Sequence, residues 1–249
     1  MKNSLIHFIE RTDSTNNYLK REIQRREAEN KKIAEFSSIY TDEQTHGRGL
    51  ATNRWESEKG KNLLVSFYFQ PPLPASDQFV FNQFFSLSIK KLLQHYNIPD
   101  VKVKWSNDIY VQNHKVAGIL IEHFLEGDKI SKTIAGVGIN INQTQFSPSL
   151  PNPTSFKIVT GKEYEIRNVL EQLLAILEIE YDILRKGNFT YFQENYLKTM
   201  YRFNEKAKYL IDEEEKTCII KGLDRFGQLI LEDAKGNLKS YGYKELKFL

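Results

Sequence analysis

The chain has 249 residues, 40% of them hydrophobic and 27% charged, and its 35 basic and 32 acidic side chains leave a net charge of +3. No apolar run reaches the roughly 18 residues of a membrane span. The aromatic content of 12% argues against a disordered chain. A charge this close to balance does not predict nucleic-acid binding. Cys218 is the only cysteine, which excludes an intrachain disulfide and a multi-cysteine metal site and predicts a reducing, cytoplasmic location.

The first predicted element is a helix that begins at Ser14, whose small polar side chain would cap free backbone N–H groups. A short strand over 37–40 follows. The polar, glycine-containing stretch 41–62 predicts a long loop, and loops of this length in compact domains are usually either functional or disordered. The next strand covers 63–69, and apolar residues at helical spacing over 79–96 predict an amphipathic helix packed on a sheet.

Beyond residue 100 the apolar residues predict mainly strands. These strands cover 101–105, 108–111, 116–124 and 133–141. Glu126-Gly127-Asp128 is typical of a hairpin turn between the last two. We therefore expect these segments to build one sheet.

The last part of the chain combines one predicted helix with a series of short predicted strands. A helix over 168–186 ends at Gly187, a typical helix terminator. After about residue 203, turn residues separate three short predicted strands, at 217–223, 228–232 and 238–241. The sequence thus predicts a larger domain over 1–203 and a compact β domain over 204–249.

The first candidate site is the segment Gln44-Thr45-His46-Gly47-Arg48-Gly49. Its two glycines let the backbone approach a ligand closely. Arg48 supplies a planar fork that can clamp a carboxylate or a phosphate. Arg54 and Trp55 lie downstream in the same loop, and the indole offers a stacking face. Taken alone, this pattern also fits an ordinary flexible turn.

Three further segments carry polar or glycine residues at strand ends. Lys104–Asp108 places a lysine and a carboxylate where phosphates or their metal could bind, although a polar turn at a sheet edge has the same composition. Lys115 precedes an apolar strand in which Gly118 leaves room for a ligand or another backbone. Segment 136–142 has two glycines within a strand, followed by two asparagines expected on one face.

Together, and in this order, the motifs resemble the biotin protein ligase family, of the single-function type. The segments that carry the resemblance are Thr12–Asn16, Gln44–Trp55, Lys104–Asp108, Lys115–Glu122 and Gly136–Asn142. The resemblance implies an α+β fold, in which a mixed β-sheet is packed with helices and a small SH3-like β-barrel follows at the C-terminus.

The resemblance also implies a two-step reaction. Biotin and ATP, with Mg²⁺, give biotinyl-5′-adenylate and pyrophosphate. A lysine of a biotin carboxyl carrier domain of an acyl-CoA carboxylase then attacks the mixed anhydride and releases AMP. Because the first motif begins near residue 12, no room is left for an N-terminal winged helix-turn-helix, and no DNA binding is expected. No membrane partner is expected, and the chain would act as a monomer or a homodimer.

Arg48 and Lys115 are the predicted catalytic residues, since they could cancel the repulsion between biotin's carboxylate and the α-phosphate. The predicted biotin-binding residues are Ser14, Thr15, Asn16, Gln44, Gly47, Arg48, Gly49, Leu50, Lys115 and Gly118. The predicted ATP- or adenylate-binding residues are Arg48, Arg54, Trp55, Lys104, Asn107, Lys115, Gly138 and Asn140. Trp55 would cover the adenine, Asn140 would bond its edge, and Asp108 would be a metal ligand.

The chain departs from the family pattern at two positions. Leu50 stands where a second arginine or a glutamine commonly follows the glycine–arginine motif, and we expect it to pack on biotin's alkyl chain or within the closed loop. Ser106 replaces the proline of the Lys-Trp-Pro-Asn-Asp motif. Two alternatives stay open: a lipoyl or octanoyl ligase or transferase, and a non-catalytic biotin-binding sensor. The C-terminal domain would help to close the ATP site, or would only stabilise the chain.

Overall fold

The computed structural model describes residues 6–249, and a large mixed sheet forms its centre. Its strands are β1 (Ile6–Thr12), β2 (Ser38–Gln44), β3 (Leu63–Phe69), β4 (Val101–Lys104), β5 (Asp108–Val111), β6 (His114–Glu126) and β7 (Lys129–Ile139). They lie in the order β1-β2-β3-β7-β6-β5-β4. Only β1 and β2 pair in parallel, and the other neighbours are antiparallel. The sheet is therefore mixed, as predicted.

Helices cover both faces of this sheet. They are α1 (Thr15–Ala28), α2 (Gln78–His95), α3 (Phe156–Thr160), α4 (Ile166–Arg185) and α5 (Phe189–Thr199), with a short 3₁₀ turn at Ala75–Asp77. Helix α2 packs against α4 and α5 over the main apolar core, whereas α1 covers β2, β3 and β7 through a smaller cluster around Leu19 and Ile23. All seven residues of β3 are buried because it lies between these layers. No helix within residues 6–249 is long and apolar enough to cross a membrane.

A second, antiparallel sheet closes the chain. It consists of β8 (Lys206–Ile211), β9 (Glu214–Leu223), β10 (Leu229–Glu232), β11 (Leu238–Tyr241) and β12 (Leu246–Phe248). The strands lie in the order β11-β10-β9-β8-β12, which is consistent with the predicted SH3-like barrel. We refer to residues 204–249 as the C-terminal module.

The C-terminal module is docked on the large sheet by specific contacts. Trp105, at the end of β4, donates its indole N–H to the Gly227 carbonyl at 2.8 Å. Gly227 has a positive φ of 81° and lies against the Phe79 ring, which leaves no space for a side chain. These contacts join the start of α2 and the β4–β5 turn to one turn of the module. The peptide bond between Trp105 and Ser106 in that β4–β5 turn is cis.

The structure corrects several predicted boundaries. Strand β2 continues to Gln44, so the predicted loop begins at residue 45 rather than 41. Strand β1 is not predicted by the sequence because it is an edge strand. It pairs only with β2, and most of its side chains are exposed, so it lacks an apolar pattern. The segments that form α3, α5, β8 and β12 were likewise not predicted, since each is short or only partly buried.

Candidate functional site

A cavity of about 500 Å³ lies over the large sheet, between the start of α1, the β4–β5 turn and the C-terminal module. The loop of residues 45–62, which we call the arginine loop, forms another wall. Fifteen predicted site residues line the cavity: Ser14, Thr15, Asn16, Gln44, Arg48, Gly49, Leu50, Arg54, Trp55, Lys104, Asn107, Asp108, Lys115, Gly118 and Gly138. The fold therefore brings segments of all five motifs to one place.

The start of α1 forms a cluster of neutral polar groups, but not by the predicted capping. Ser14 occupies the N-cap position, yet its side chain makes no capping hydrogen bond. The Gln44 side-chain oxygen replaces it, accepting from the Thr15 backbone N–H at 2.8 Å and from the Thr15 hydroxyl at 3.1 Å. The buried Ser14 hydroxyl, 2% exposed as a residue, is thus not used by the helix and lines the cavity.

Asn16 is held on all sides. Its side-chain oxygen lies 2.6 Å from the Ser66 hydroxyl, and its amide N–H groups donate to Glu122 at 2.8 Å and to the Leu120 carbonyl at 3.3 Å. Gly136 lies directly beneath it, and any Cβ there would overlap the Asn16 side chain. Sequence reasoning did not select Ser66, Glu122 or Gly136 as site residues. Two of them stand inside quoted motifs, whereas Ser66 gives no local signal within an apolar strand.

The Arg48 guanidinium forms an ion pair with Glu122. It donates to both carboxylate oxygens of Glu122, at 3.1 and 3.2 Å, and to the Asn17 side-chain oxygen at 2.8 Å. The arginine loop is a narrow hairpin at this point, since Gly47 accepts from the Trp55 N–H at 3.0 Å and Gly49 donates to Asn53 at 2.8 Å. The glycine–arginine segment is therefore a hydrogen-bonded hairpin rather than an ordinary flexible turn.

Trp55 lies flat on the glycines of the central strands. A Cβ on Gly118 would come within 2.8 Å of the indole, and one on Gly138 would overlap it. The indole N–H is buried and has no hydrogen-bond partner within the described part of the chain. These two glycines thus make the floor on which the tryptophan rests.

Lys115 and Asp108 form an ion pair of 2.6 Å beside this tryptophan. The Lys115 ammonium lies 5.6 Å from the centre of the indole ring. Residues 6–249 contain no group of three or more His, Cys, Asp or Glu side chains that could hold a metal ion. Asp108 could therefore offer Mg²⁺ only one carboxylate. Such a site would be completed by water and phosphate oxygens, as is common for Mg²⁺.

Lys104 is a half-buried ammonium with no carboxylate at ion-pair distance among the described residues. It donates to the Tyr110 hydroxyl at 3.0 Å and lies 5.1 Å from the centre of the Phe248 ring. Burial lowers the pKa of Lys104, the charges of Arg202 and Lys115 lower it further, and Asp108 opposes this shift. This end of the cavity is accordingly rich in cations, since Lys104, Arg202 and Lys247 all line it.

The C-terminal module supplies part of the same wall. Tyr243, Leu246, Lys247, Phe248 and Leu249 line the cavity together with Tyr201 and Arg202, which precede the module. The Asn53 amide of the arginine loop lies 3.4 Å from the Tyr243 hydroxyl. Sequence reasoning named none of these residues, because no local motif marks them.

Three predicted residues have other positions or uses in the fold. Asn140 does not line the cavity: it is 4% exposed, and its amide donates to the Thr154 carbonyl at 2.9 Å. Gly47 is also outside the lining, and it allows the close approach of the Trp55 carbonyl within the hairpin. Asn107 lines the cavity but also donates to the Ile119 carbonyl at 2.8 Å, which ties the β4–β5 turn to β6.

Comparison with known proteins identifies the family. Residues 8–140 match the model of the biotin/lipoate A/B protein ligase family. The biotin–[acetyl-CoA-carboxylase] ligase of Paracoccus denitrificans is 26% identical over 238 residues, covering 92% of this chain and 94% of that protein. The bifunctional ligase/repressor BirA of Bacillus subtilis is 27% identical over 221 residues, covering 86% of this chain and 67% of that protein.

A solved structure extends the match over the whole fold. The biotin protein ligase from Aquifex aeolicus in complex with biotin and ATP superimposes with a TM-score of 0.78 and 25% identity, covering 99% of this chain and 100% of that one. The family model covers more than half of the chain, and residues from all five sequence motifs line the cavity. The chain belongs to the biotin/lipoate A/B protein ligase family.

Proposed function

We propose that this chain is an ATP-dependent biotin–protein ligase that joins biotin to a lysine of a biotin carboxyl carrier domain through biotinyl-5′-adenylate. The observation that carries the proposal is the division of a single cavity into a neutral polar end and a cationic end. These ends match the uncharged head of biotin and the anionic phosphates of ATP.

The neutral end suits a ureido group, which both donates and accepts hydrogen bonds. Ser14, Thr15 and Gln44 offer hydroxyl and amide groups there, and Asn16 is fixed beside them. No formal charge is needed for such a ligand. Leu50 lines the same cavity and offers apolar contact to an alkyl chain, whereas Trp55 and Asn16 cover the glycines of β6 and β7.

The centre of the cavity suits the reacting groups. Adenylate formation brings the biotin carboxylate to the α-phosphate, forms a C–O–P anhydride bond and breaks the bond to pyrophosphate. Arg48 and Lys115 are the cations that would offset the charge in the transition state, a contribution of about 2.7–4 kcal/mol for a comparable donor. In the second step a carrier lysine attacks the carbonyl, and AMP leaves.

The far end suits the remaining phosphates. Lys104, Arg202 and Lys247 line it, and Lys104 has no carboxylate partner among the described residues. Asp108 would hold Mg²⁺ there, which would neutralise phosphate charge when bound. The name of the Paracoccus relative, which specifies acetyl-CoA carboxylase, supports a carrier domain of such an enzyme as the acceptor.

The test is incubation of the chain with biotin, ATP, Mg²⁺ and an isolated carrier domain. Mass spectrometry of the carrier should show one biotinyl group on its lysine, and pyrophosphate should appear only when biotin is present. Lipoate in place of biotin is the matched control. Modification with lipoate but not biotin, or biotin binding without pyrophosphate release, would contradict the proposal.

A further inference from the structure

Glu122 stands where α1, β6 and the arginine loop meet. Its carboxylate accepts from the Asn16 amide at 2.8 Å and from both terminal nitrogens of Arg48 at 3.1 and 3.2 Å. The Glu122 side chain is 22% exposed. It does not line the cavity, although both of its partners do. Glu122 therefore lies behind the site rather than in it.

The contact with Glu122 fixes the direction of the Arg48 guanidinium. Two parallel N–H···O bonds define the plane and the angle of the fork, which a single bond cannot do. The only other side-chain partner of Arg48 among the described residues is Asn17. Nη1 uses both of its N–H groups on Asn17 and Glu122, and Nη2 uses one on Glu122. The Nε–H and one Nη2–H remain for an anion, so the pairing orients Arg48 without using all of its donors.

The same carboxylate also fixes Asn16. One oxygen, Oε2, is shared: it accepts from the Asn16 amide and from Arg48 Nη1. Ser66 holds the opposite end of the Asn16 side chain. A displacement of Asn16 would therefore move Glu122 Oε2, and with it the Arg48 guanidinium, because both groups donate to this one oxygen.

We propose that Glu122 is a positioning residue that couples the neutral end of the cavity to the placement of Arg48. It holds the arginine loop against α1 and sets the guanidinium in the plane in which it meets the reacting carboxylate and phosphate. This inference rests on the proposed function, and it adds a residue that acts through Arg48 rather than on a ligand.

The test is a double-mutant cycle on adenylate formation, followed as biotin-dependent pyrophosphate release. Glu122→Gln keeps the shape and an acceptor for Asn16 but removes the charge that pairs with Arg48. We expect kcat to fall by up to ~100-fold, as for a misplaced reacting group, while KM for biotin changes by less than about threefold. The double variant Glu122→Gln/Arg48→Ala should be no slower than Arg48→Ala alone.

Multiplication of the two single effects in the double variant would overturn the proposal, since it would mean that Glu122 does not act through Arg48. Absence of pyrophosphate release by the unaltered chain would instead refute the proposed function. Glu171→Gln, which removes an exposed helical ion pair on α4, is the control for loss of a charge. If Glu122→Gln does not fold, Glu122→Asp serves, because its shorter side chain keeps the charge but withdraws it from Arg48.

A second readout does not depend on activity. Arg54, within the arginine loop, is a residue type after which trypsin cuts, and the wild-type loop is held by the contact between Arg48 and Glu122. Cleavage at Arg54 should be several-fold faster in Glu122→Gln than in Glu171→Gln at equal concentration of folded protein. Equal cleavage rates would count against the loop-holding part of the proposal.

Discussion

Gly136 provides the sharpest test of the site, because the structure leaves no space above it. In Gly136→Ala the new methyl group would overlap the Asn16 side chain, which cannot yield without losing its hydrogen bonds. Three of them are at risk, to Ser66, Glu122 and Leu120. At about 1 kcal/mol each, their loss would cost roughly 3 kcal/mol. That is the upper end of the usual overpacking cost of about 1–3 kcal/mol.

For a chain of this length, a loss of roughly 3 kcal/mol corresponds to a fall in Tm of about 6–12 °C. Calorimetry would measure the Tm, and pyrophosphate release at varied biotin would measure KM, which should rise because Asn16 borders the neutral end. The control is Gly222→Ala, in β9, where an added Cβ meets nothing within 4 Å. A Tm and a biotin KM of Gly136→Ala equal to those of wild type would refute the reasoning.

Three further predictions concern other parts of the chain. Burial lowers the pKa of His123 from 6.5 to about 4 in the folded chain. As the pH falls below 6.5, His123 is therefore protonated in the unfolded chain before it is protonated in the folded one. The free energy of unfolding should hold above pH 6.5 and fall by at most about 3 kcal/mol down to pH 4; a pH series of denaturant titrations should show this loss abolished in His123→Gln. Lys104→Met should raise KM for ATP ~10-fold or more, as expected for a lost charged contact, without changing KM for biotin. Trp105→Phe leaves the Gly227 carbonyl unpaired and should lower stability by about 1–3 kcal/mol in the same titrations.

Much of the fold was predictable because its signals are local. The apolar runs that form β6 and β7, the turn at Gly127 between them, and the helical spacing of apolar residues in α2 are each visible within a short stretch of sequence. The edge strand β1 was missed because it buries few side chains. Residue types alone marked the glycine–arginine segment and the lysines as ligand-binding candidates.

Tertiary structure decided which of these candidates meet and what holds them. The cap of α1 comes from Gln44, which is 29 residues from Thr15, and the partner of Arg48 lies 74 residues away at Glu122. The Asn53–Tyr243 contact, which joins the arginine loop to the C-terminal module, spans 190 residues. Such contacts depend on how the strands are ordered and how the modules dock. A local pattern records which side chains are buried but not which distant group each one faces, and that is why only the folded chain reveals them.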